Sequence, residues 1–380
     1  MPNLARLVPL HEYHERNGHL TDFGGFSLPL WYKGIIPEVL AVRNSVGLFD
    51  VSHMGRALIR GVEAQKFLER VTTNDVSSLT TGKGQYSLIC NTKGGIKDDV
   101  LVFRLRDEYL LVYNAANRSK DYEWIQANSA GEVEIQDVSD EVGMFALQGP
   151  NAASIMSRLS DGSTESIPRF GCGWIQIAGT RTLVSRTGYT GEDGYEIFVW
   201  DSSVINPGNA LDVWDTLLSI GSSYGIEPCG LGARDVLRLE AGLCLYGTDI
   251  DENTNPLEAR LGFAVKFHKN FIGKQALLEL KAAGLISKKR IGLVTLTRVI
   301  PRHGFEIFSD GSSVGNVTSG TLSPLTERGI AMGYVEDKVT HEGDIVEVKV
   351  RERFEKATVV KPPFYDQDKF GYARKISHKP

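Results

Sequence analysis

The sequence predicts an α+β protein whose last third forms a small antiparallel β-barrel or sandwich. Three observations predict this. Forty glycines and fourteen prolines punctuate the 380 residues, which suits many short strands joined by tight turns. Several segments repeat apolar residues at helical spacing, while others run as short apolar stretches between turn residues. Near the end, Val346, Val348 and Val350 alternate with Glu347, Lys349 and Arg351, the period of two that marks a half-buried strand.

In chain order, LARLVPLHEYHERNG reads as a helix ended by Gly18. VLAVRNSVGLFDVSHMGRALIRG passes from a helix, through Gly47, into a strand around Arg56 to Ile59. VEAQKFLERVTTNDV is helical, with Ala64, Phe67, Leu68 and Val71 on one face. QYSLICN, DVLVFRL and YLLVYNA then follow as neighbouring strands of one sheet. NALDVWDTLLSIG is a further helix, with Leu211, Trp214, Leu217 and Leu218 on one side and Gly221 as its stop. A domain boundary falls near Lys269 to Lys274, and LVTLTRVI, FEIFSDGSSVGNVTSG and IAMGYVEDKV lead into the final strands. There is no fixed-period repeat and no low-complexity tract.

Composition narrows the function. Apolar residues make up 42% and charged residues 23%, ordinary values for a chain able to bury a core. Forty-two basic against forty-seven acidic side chains leave a net charge of −5, which argues against nucleic acid as a partner. The N-terminus lacks a signal-like apolar region. No run reaches the roughly 18 apolar residues of a membrane span, so a cytoplasmic location is expected. Cys90, Cys172, Cys229 and Cys244 are widely spaced, which favours buried thiols over disulfides or a metal site. HEYH lacks H-E-x-x-H spacing, FIGKQ is not a P-loop, and no G-x-S-x-G occurs.

Three stretches could carry chemistry. In NTKGGIKDDVLVFRL, Gly94 and Gly95 supply a tight turn into a strand that opens on Asp98 and Asp99. Neighbouring strand residues face opposite ways, so the two carboxylates cannot line one cavity. A hydrophilic strand entry and a catalytic carboxylate both remain open. In RTGYTGEDGYEIFVW, Glu196 lies within an emerging strand. There it either faces solvent or is buried and accepts hydrogen bonds from a ligand such as an amino-pyrimidine edge, because a lone buried charge costs several kcal/mol. In EPCGLGARDVLRLEAGLCLYG, Gly230 and Gly232 precede a helix with Arg234 in its first turn and Arg238 one turn on. A cation there opposes the helix dipole. It answers either to a ligand's carboxylate or phosphate, or to an ion pair with Glu240 or Asp235.

Taken together, FGGFSLPLWY, GLFDVSHMG, NTKGGIKDD, ALQGPNA, RTGYTGEDGYEI, GLGARDVLRLEAGLCLYGTDID, FIGKQAL and GNVTSGTLSPLTERGIAMGYV resemble, in order and over nearly the whole chain, the glycine cleavage system T-protein family of aminomethyltransferases. Folate-dependent demethylases and the folate domains of sarcosine and dimethylglycine dehydrogenases share much of the pattern. The GYTGEDGYE and GLGARDxLRLEAG forms sit closest to the T-protein.

The resemblance implies three domains in a clover-leaf around a central folate-binding hole. A discontinuous first domain would cover 1–50 and 138–270, an inserted second 51–137, and the barrel 271–380. It implies transfer of a one-carbon unit from the aminomethyl-loaded lipoyl arm of an H-protein to tetrahydrofolate, as co-substrate, with release of ammonia and no metal. It also implies site residues. Asp98 would lie beside the folate's reactive nitrogens, with Asp99 as its structural opposite-face partner. Glu196 would hold the pterin's amino-pyrimidine edge, and Tyr86 and Tyr189 would line its ring. Met54 and Asn114 match other pocket contacts, Arg234 an arginine at the folate site, and Arg374 a residue near the folate's glutamate tail. Val39 departs from the family, many of whose members carry His there. The alternative is a folate-dependent demethylase of a methylated small molecule. A folate-binding regulator ranks last, because its K-G-C-[Y/F]-x-G-Q-E motif is missing.

Overall fold

The apolar segments between residues 83 and 113 become three consecutive antiparallel strands, Lys83–Cys90, Ile96–Arg104 and Tyr109–Tyr113. The structure, a computed structural model, describes residues 5–160, 162–337 and 340–374. Gly55–Arg60 and Glu134–Asp137 complete a five-stranded sheet. The helix Ala64–Val71 packs on it through Ala64, Phe67, Leu68 and Val71, the four residues that its sequence spacing puts on one face.

A second sheet runs in the order Cys172–Ile177, Thr180–Ser185, Gly194–Val199, Gly143–Gln148, Val46–Asp50 and Ile226–Pro228. Only the last pairing is parallel. Gly208–Gly221 covers one face, burying Trp214 and Leu217 with Leu211 and Leu218 packed at the edge. The helix ends at Gly221, where a Cβ would approach the Ile226 side chain to 2.8 Å.

The final third closes completely. Lys288–Thr295, Arg328–Glu336, Ser312–Ser323, Glu306–Ser309, Ile345–Val350 and Arg353–Val360 form a six-stranded antiparallel barrel. Val346 and Val348 point into its core. Closure leaves no unpaired edge, which resolves the choice between barrel and sandwich.

Two local readings change. The N-terminal helix covers only His11–Asn17, because Arg6 pairs alongside Phe26, its N–H donating to Gly25 O and its carbonyl accepting from Ser27 N. Gly47 is not a turn but sits inside Val46–Asp50, where a Cβ would come within 2.4 Å of Val42 and 2.8 Å of Cys229 Sγ. The helix Ile35–Asn44 packs against that strand.

The segment following the helix Leu231–Glu240 stitches the sheets together. Thr254 O accepts from Ile96 N, and Thr73 O from Lys266 N. Cys244, Tyr246 and Ile250 share one apolar cluster with Leu88, Ile96, Tyr86 and Tyr334. Ser319 and Ser323 of the barrel bond Arg238 and Glu240. The entry of the strand Ile96–Arg104 therefore lies where all three sheets are joined.

Candidate active site

The turn that delivers the two aspartates depends on its glycines. Asn91 Oδ1 accepts from the backbone N–H of Lys93 and Gly95. Gly94 adopts φ +85°, a left-handed conformation that favours glycine. A Cβ on Gly95 would fall 1.8 Å from Glu252 O. The strand then begins, and its parity sends Asp98 and Asp99 to opposite faces.

Asp98 is completely buried. Its Oδ2 accepts from Asn114 N at 2.9 Å, and its Oδ1 from the side-chain amides of Asn114 and Asn117, each at 2.8 Å. Beside it lies Asp121, also fully buried, in the first turn of the helix Arg118–Ala127. Neither Asp121 oxygen meets a donor among the described residues. Burial, then the Asp98 charge, raises the Asp121 pKa, which favours the neutral acid at Asp121 beside Asp98.

Asp99 faces the other way and is only half-buried. The Asn114 amide donates to its Oδ1 at 2.8 Å, and Tyr86 OH to its Oδ2 at 3.3 Å. Burial, then the neighbouring Asp98, raises its pKa to about 7, against the hydrogen bonds from Asn114 and Tyr86. On this face stand Tyr86, whose ring stacks on the exposed Phe263 at 5.8 Å, and Tyr189, whose hydroxyl donates to Cys244 O. Asp99 lies close enough to both phenols to raise their pKa values, after the larger effect of burial.

Arg234 places its guanidinium 4.6 Å from the centre of the Tyr189 ring, a cation–π contact. It makes no hydrogen bond or ion pair among the described residues. Burial lowers its pKa, while Tyr189 and Glu196 oppose that shift. Glu196 is buried at 5% exposure in the strand Gly194–Val199. Thr187 Oγ1 donates to its Oε2 and is itself bonded to Ser185 Oγ. Burial raises the Glu196 pKa, and Thr187 and Arg234 restrain the rise. Glu196 therefore keeps one carboxylate oxygen without a donor, and Arg234 keeps its whole donor fork. Met54, half-buried at the turn after Val51, packs at the edge of the core that this sheet shares with Ala233 and Leu237 of the Arg234 helix.

Comparison with known proteins identifies the family. Residues 10–269 match the GCVT N-terminal domain and residues 288–366 the glycine cleavage T-protein C-terminal barrel domain. The chain belongs to the glycine cleavage T-protein family. It is 47% identical to the aminomethyltransferase of Halothermothrix orenii, over 94% of this chain and 99% of that one. It is 42% identical to that of Bacillus subtilis, over 95% and 99%. The crystal structure of glycine cleavage system aminomethyltransferase T from Bartonella henselae superposes with a TM-score of 0.87 at 34% identity, covering 97% of this chain and 99% of that one.

Within this T-protein family member, Tyr86, Tyr189, Glu196 and Arg234 come together, with Met54 nearby, and the two aspartates face opposite ways. Asp98 is sealed on the far face by three N–H donors, whereas Asp99 shares its face with the tyrosines. Asn114 stands at this strand as a bridge, its amide donating to both carboxylates. Arg374 does not join the group. Its guanidinium pairs with buried Glu192 and donates to Arg43 O at 3.1 Å, inside the brace formed by Arg43, Glu192 and Glu240. Arg238 pairs with Asp235 and Asp249, so only Arg234 of the two helix arginines is left for a ligand.

Sequence reading missed Asn117, Asp121 and Thr187. Asn117 and Asp121 stand four apart at a helix start, a same-face spacing that was available. Which strand they would face was not.

Proposed function

We propose that this aminomethyltransferase passes the one-carbon unit carried on the lipoyl arm of an H-protein to tetrahydrofolate. The C–S bond to the arm breaks, leaving the reduced arm, and the amino group departs as ammonia, giving 5,10-methylenetetrahydrofolate. The observation that carries the reading is the convergence of Asp99, Tyr86, Tyr189, Arg234 and Glu196 from separate parts of the chain, with unused hydrogen-bonding capacity on Glu196 and Arg234. The full-length relatives are aminomethyltransferases, so a demethylase is not favoured.

Tetrahydrofolate supplies the nitrogen nucleophiles. Glu196 fits an amino-pyrimidine edge, where two N–H donors meet a carboxylate in a charge-assisted pair. The phenol rings of Tyr86 and Tyr189 offer flat walls for a pterin. Arg234 supplies a cation for the anionic or carbonyl groups of the same ligand. Asp99, with its pKa near 7, is suited to take up the proton released at the attacking nitrogen, and Asn114 holds it in place. Orientation of the two substrates supplies much of the rate, with gains of up to about 7–11 kcal/mol in ideal cases.

Three domains, 1–50 with 138–270, 51–137 and 271–380, fit this work. Each of the three large sheets draws its strands from one of these units. All four cysteines are buried and free, in keeping with a cytoplasmic enzyme. The test mixes the protein, tetrahydrofolate and aminomethyl-loaded H-protein, and measures ammonia and methylenetetrahydrofolate. Both products should form, and Asp99→Asn should suppress both. Bound tetrahydrofolate without turnover would point to another one-carbon donor.

A further inference from the structure

Away from the tyrosine face, the interior contains a second group of unused donors. Arg56 is fully buried on the strand Gly55–Arg60, and Arg118, 5% exposed, opens the helix Arg118–Ala127. Arg56 spends one nitrogen, Nη2, on the carbonyls of Ser52 and Ser139. Arg118 spends one, Nη2, on Asp140 Oδ1 at 3.0 Å. The Nε and Nη1 of both arginines, four buried guanidinium nitrogens, meet no acceptor among the described residues. The Tyr113 hydroxyl and His53 Nδ1, also buried, share that condition.

Charge makes this more than a set of unmet hydrogen bonds. Arg56 and Arg118 lie near enough to repel, which adds to the burial that lowers the Arg56 pKa. The carboxylate that faces them is Asp140, whose side chain is 70% exposed and also pairs with Arg6. Asp50 is already engaged by His14 and Ser52 N. His53 adds no positive charge, because burial, reinforced by Arg234, drives its pKa down to about 3. Arg6 and Arg118 thus share one solvent-exposed carboxylate, and Arg56 has no salt bridge among the described residues. Neutral hydrogen-bond partners could satisfy the N–H groups but would leave the charge uncompensated, at a cost of several kcal/mol for each buried ion.

We propose that Arg56, Arg118 and Tyr113 enclose a binding site for a small monovalent inorganic anion of about the size of chloride. Guanidinium N–H groups and a phenol hydroxyl are all donors to an anion, and charge-assisted bonds of this kind are the strong ones. The rings of Phe26 and His53 wall the same region. Arg118 lies 5.5 Å from the Phe26 ring centre, and His53 packs against Phe26 and Phe23. The burial of Arg56, Arg118, Tyr113 and His53 selects against bulky or doubly charged ions, which lose more hydration on entry. The proposal does not depend on the substrate assignment.

The test uses the full chain in sodium gluconate, exchanged stepwise for sodium chloride or bromide at constant ionic strength. The melting temperature should rise and saturate with halide, since a ligand bound to the native state stabilises it by mass action. Crystals grown in bromide should show an anomalous peak in contact with Arg56 and Arg118. Arg56→Gln, which keeps donors but removes the charge, should abolish the halide response. If that variant does not fold, the halide titration and the bromide crystal of the unaltered chain decide. A melting temperature indifferent to halide overturns the proposal. So does a site holding only water. A bromide peak without a thermal response also overturns it, as binding at crystal concentration only.

Discussion

Replacing Asp121 by Asn should flatten the dependence of stability on pH. Asp121 is buried against Asp98 and lacks any other partner among the described residues, and its folded pKa is raised by burial and then by Asp98. In the unfolded chain it titrates near 4. Between those values the folded state binds one proton that the unfolded state does not, so stability falls as pH rises. The contribution is whole below pH 4 and is lost progressively toward the folded pKa. Each pH unit spent in that window costs about 1.4 kcal/mol for one retained proton. Asp121 alone therefore removes up to about 3 kcal/mol between pH 5 and pH 7. Asn cannot titrate, yet its amide can still donate to Asp98, so the fold should survive. The assay is urea unfolding of parent and variant at matched pH values. Glu196 and Glu240, also raised by burial, contribute equally to both proteins, so the difference in slope is the readout. Identical slopes would refute the assignment of a proton to Asp121.

Asp99→Asn should lower turnover by about 10²–10⁴-fold, the usual worth of a positioned acid or base, while the parent's rate should rise with pH through about 7 as Asp99 ionises; stopped assays across pH 5.5–8.5 (roughly the range that brackets that ionisation) check both. Glu196→Ala should weaken tetrahydrofolate binding by roughly 10–100-fold, equivalent to losing about 1.5–3 kcal/mol of charged hydrogen bonding, with the melting temperature little changed; fluorescence titration measures it, and unaltered affinity would remove Glu196 from the site. Gly95→Ala should cost about 1–3 kcal/mol, because its Cβ would lie 1.8 Å from Glu252 O; a lowered urea midpoint would show it.

Elements with a single strong periodicity were legible. The helix Ala64–Val71 buries the four residues that its spacing predicts, and the alternating valines of the last third line the barrel core. Elements decided by distant partners were not. Arg6 gives up a helix because Phe26, twenty residues on, offers a strand edge. Gly47 reads as a stop, yet the close approach of Val42 and Cys229 is what excludes a side chain there. The same limit explains the aspartates. The sequence shows that Asp98 and Asp99 must face opposite ways, but not which face carries the tyrosines, because Tyr189 and Arg234 reach the strand from 90 and more residues away. The anchoring of Arg374 by Arg43 and Glu192 was not legible either, because that brace is a tertiary contact.

The opposite facing of the two aspartates has a chemical consequence. A buried pair of adjacent carboxylates would repel, and the structure disposes of their charges differently. Asp98 accepts from three N–H donors, and burial and the Asp98 charge raise the pKa of Asp121 beside it. Asp99 has fewer donors and feels Asp98 through one residue of backbone, which brings its own ionisation to about 7. Asn114 ties the two together, since one amide nitrogen donates to both Oδ1 atoms. On the function proposed above, Asp98 would act on the tyrosine face without touching it, through its charge beside Asp99 and the shared Asn114 amide. Removing the charge at position 98 should let Asp99 ionise at lower pH and shift the rate profile in the acid direction. Removing the charge at position 99 should abolish that profile altogether. A pH–rate curve for Asp98→Asn thus separates the two roles, and an unshifted curve would mean that Asp98 serves only to hold the turn and the helix Arg118–Ala127 in place.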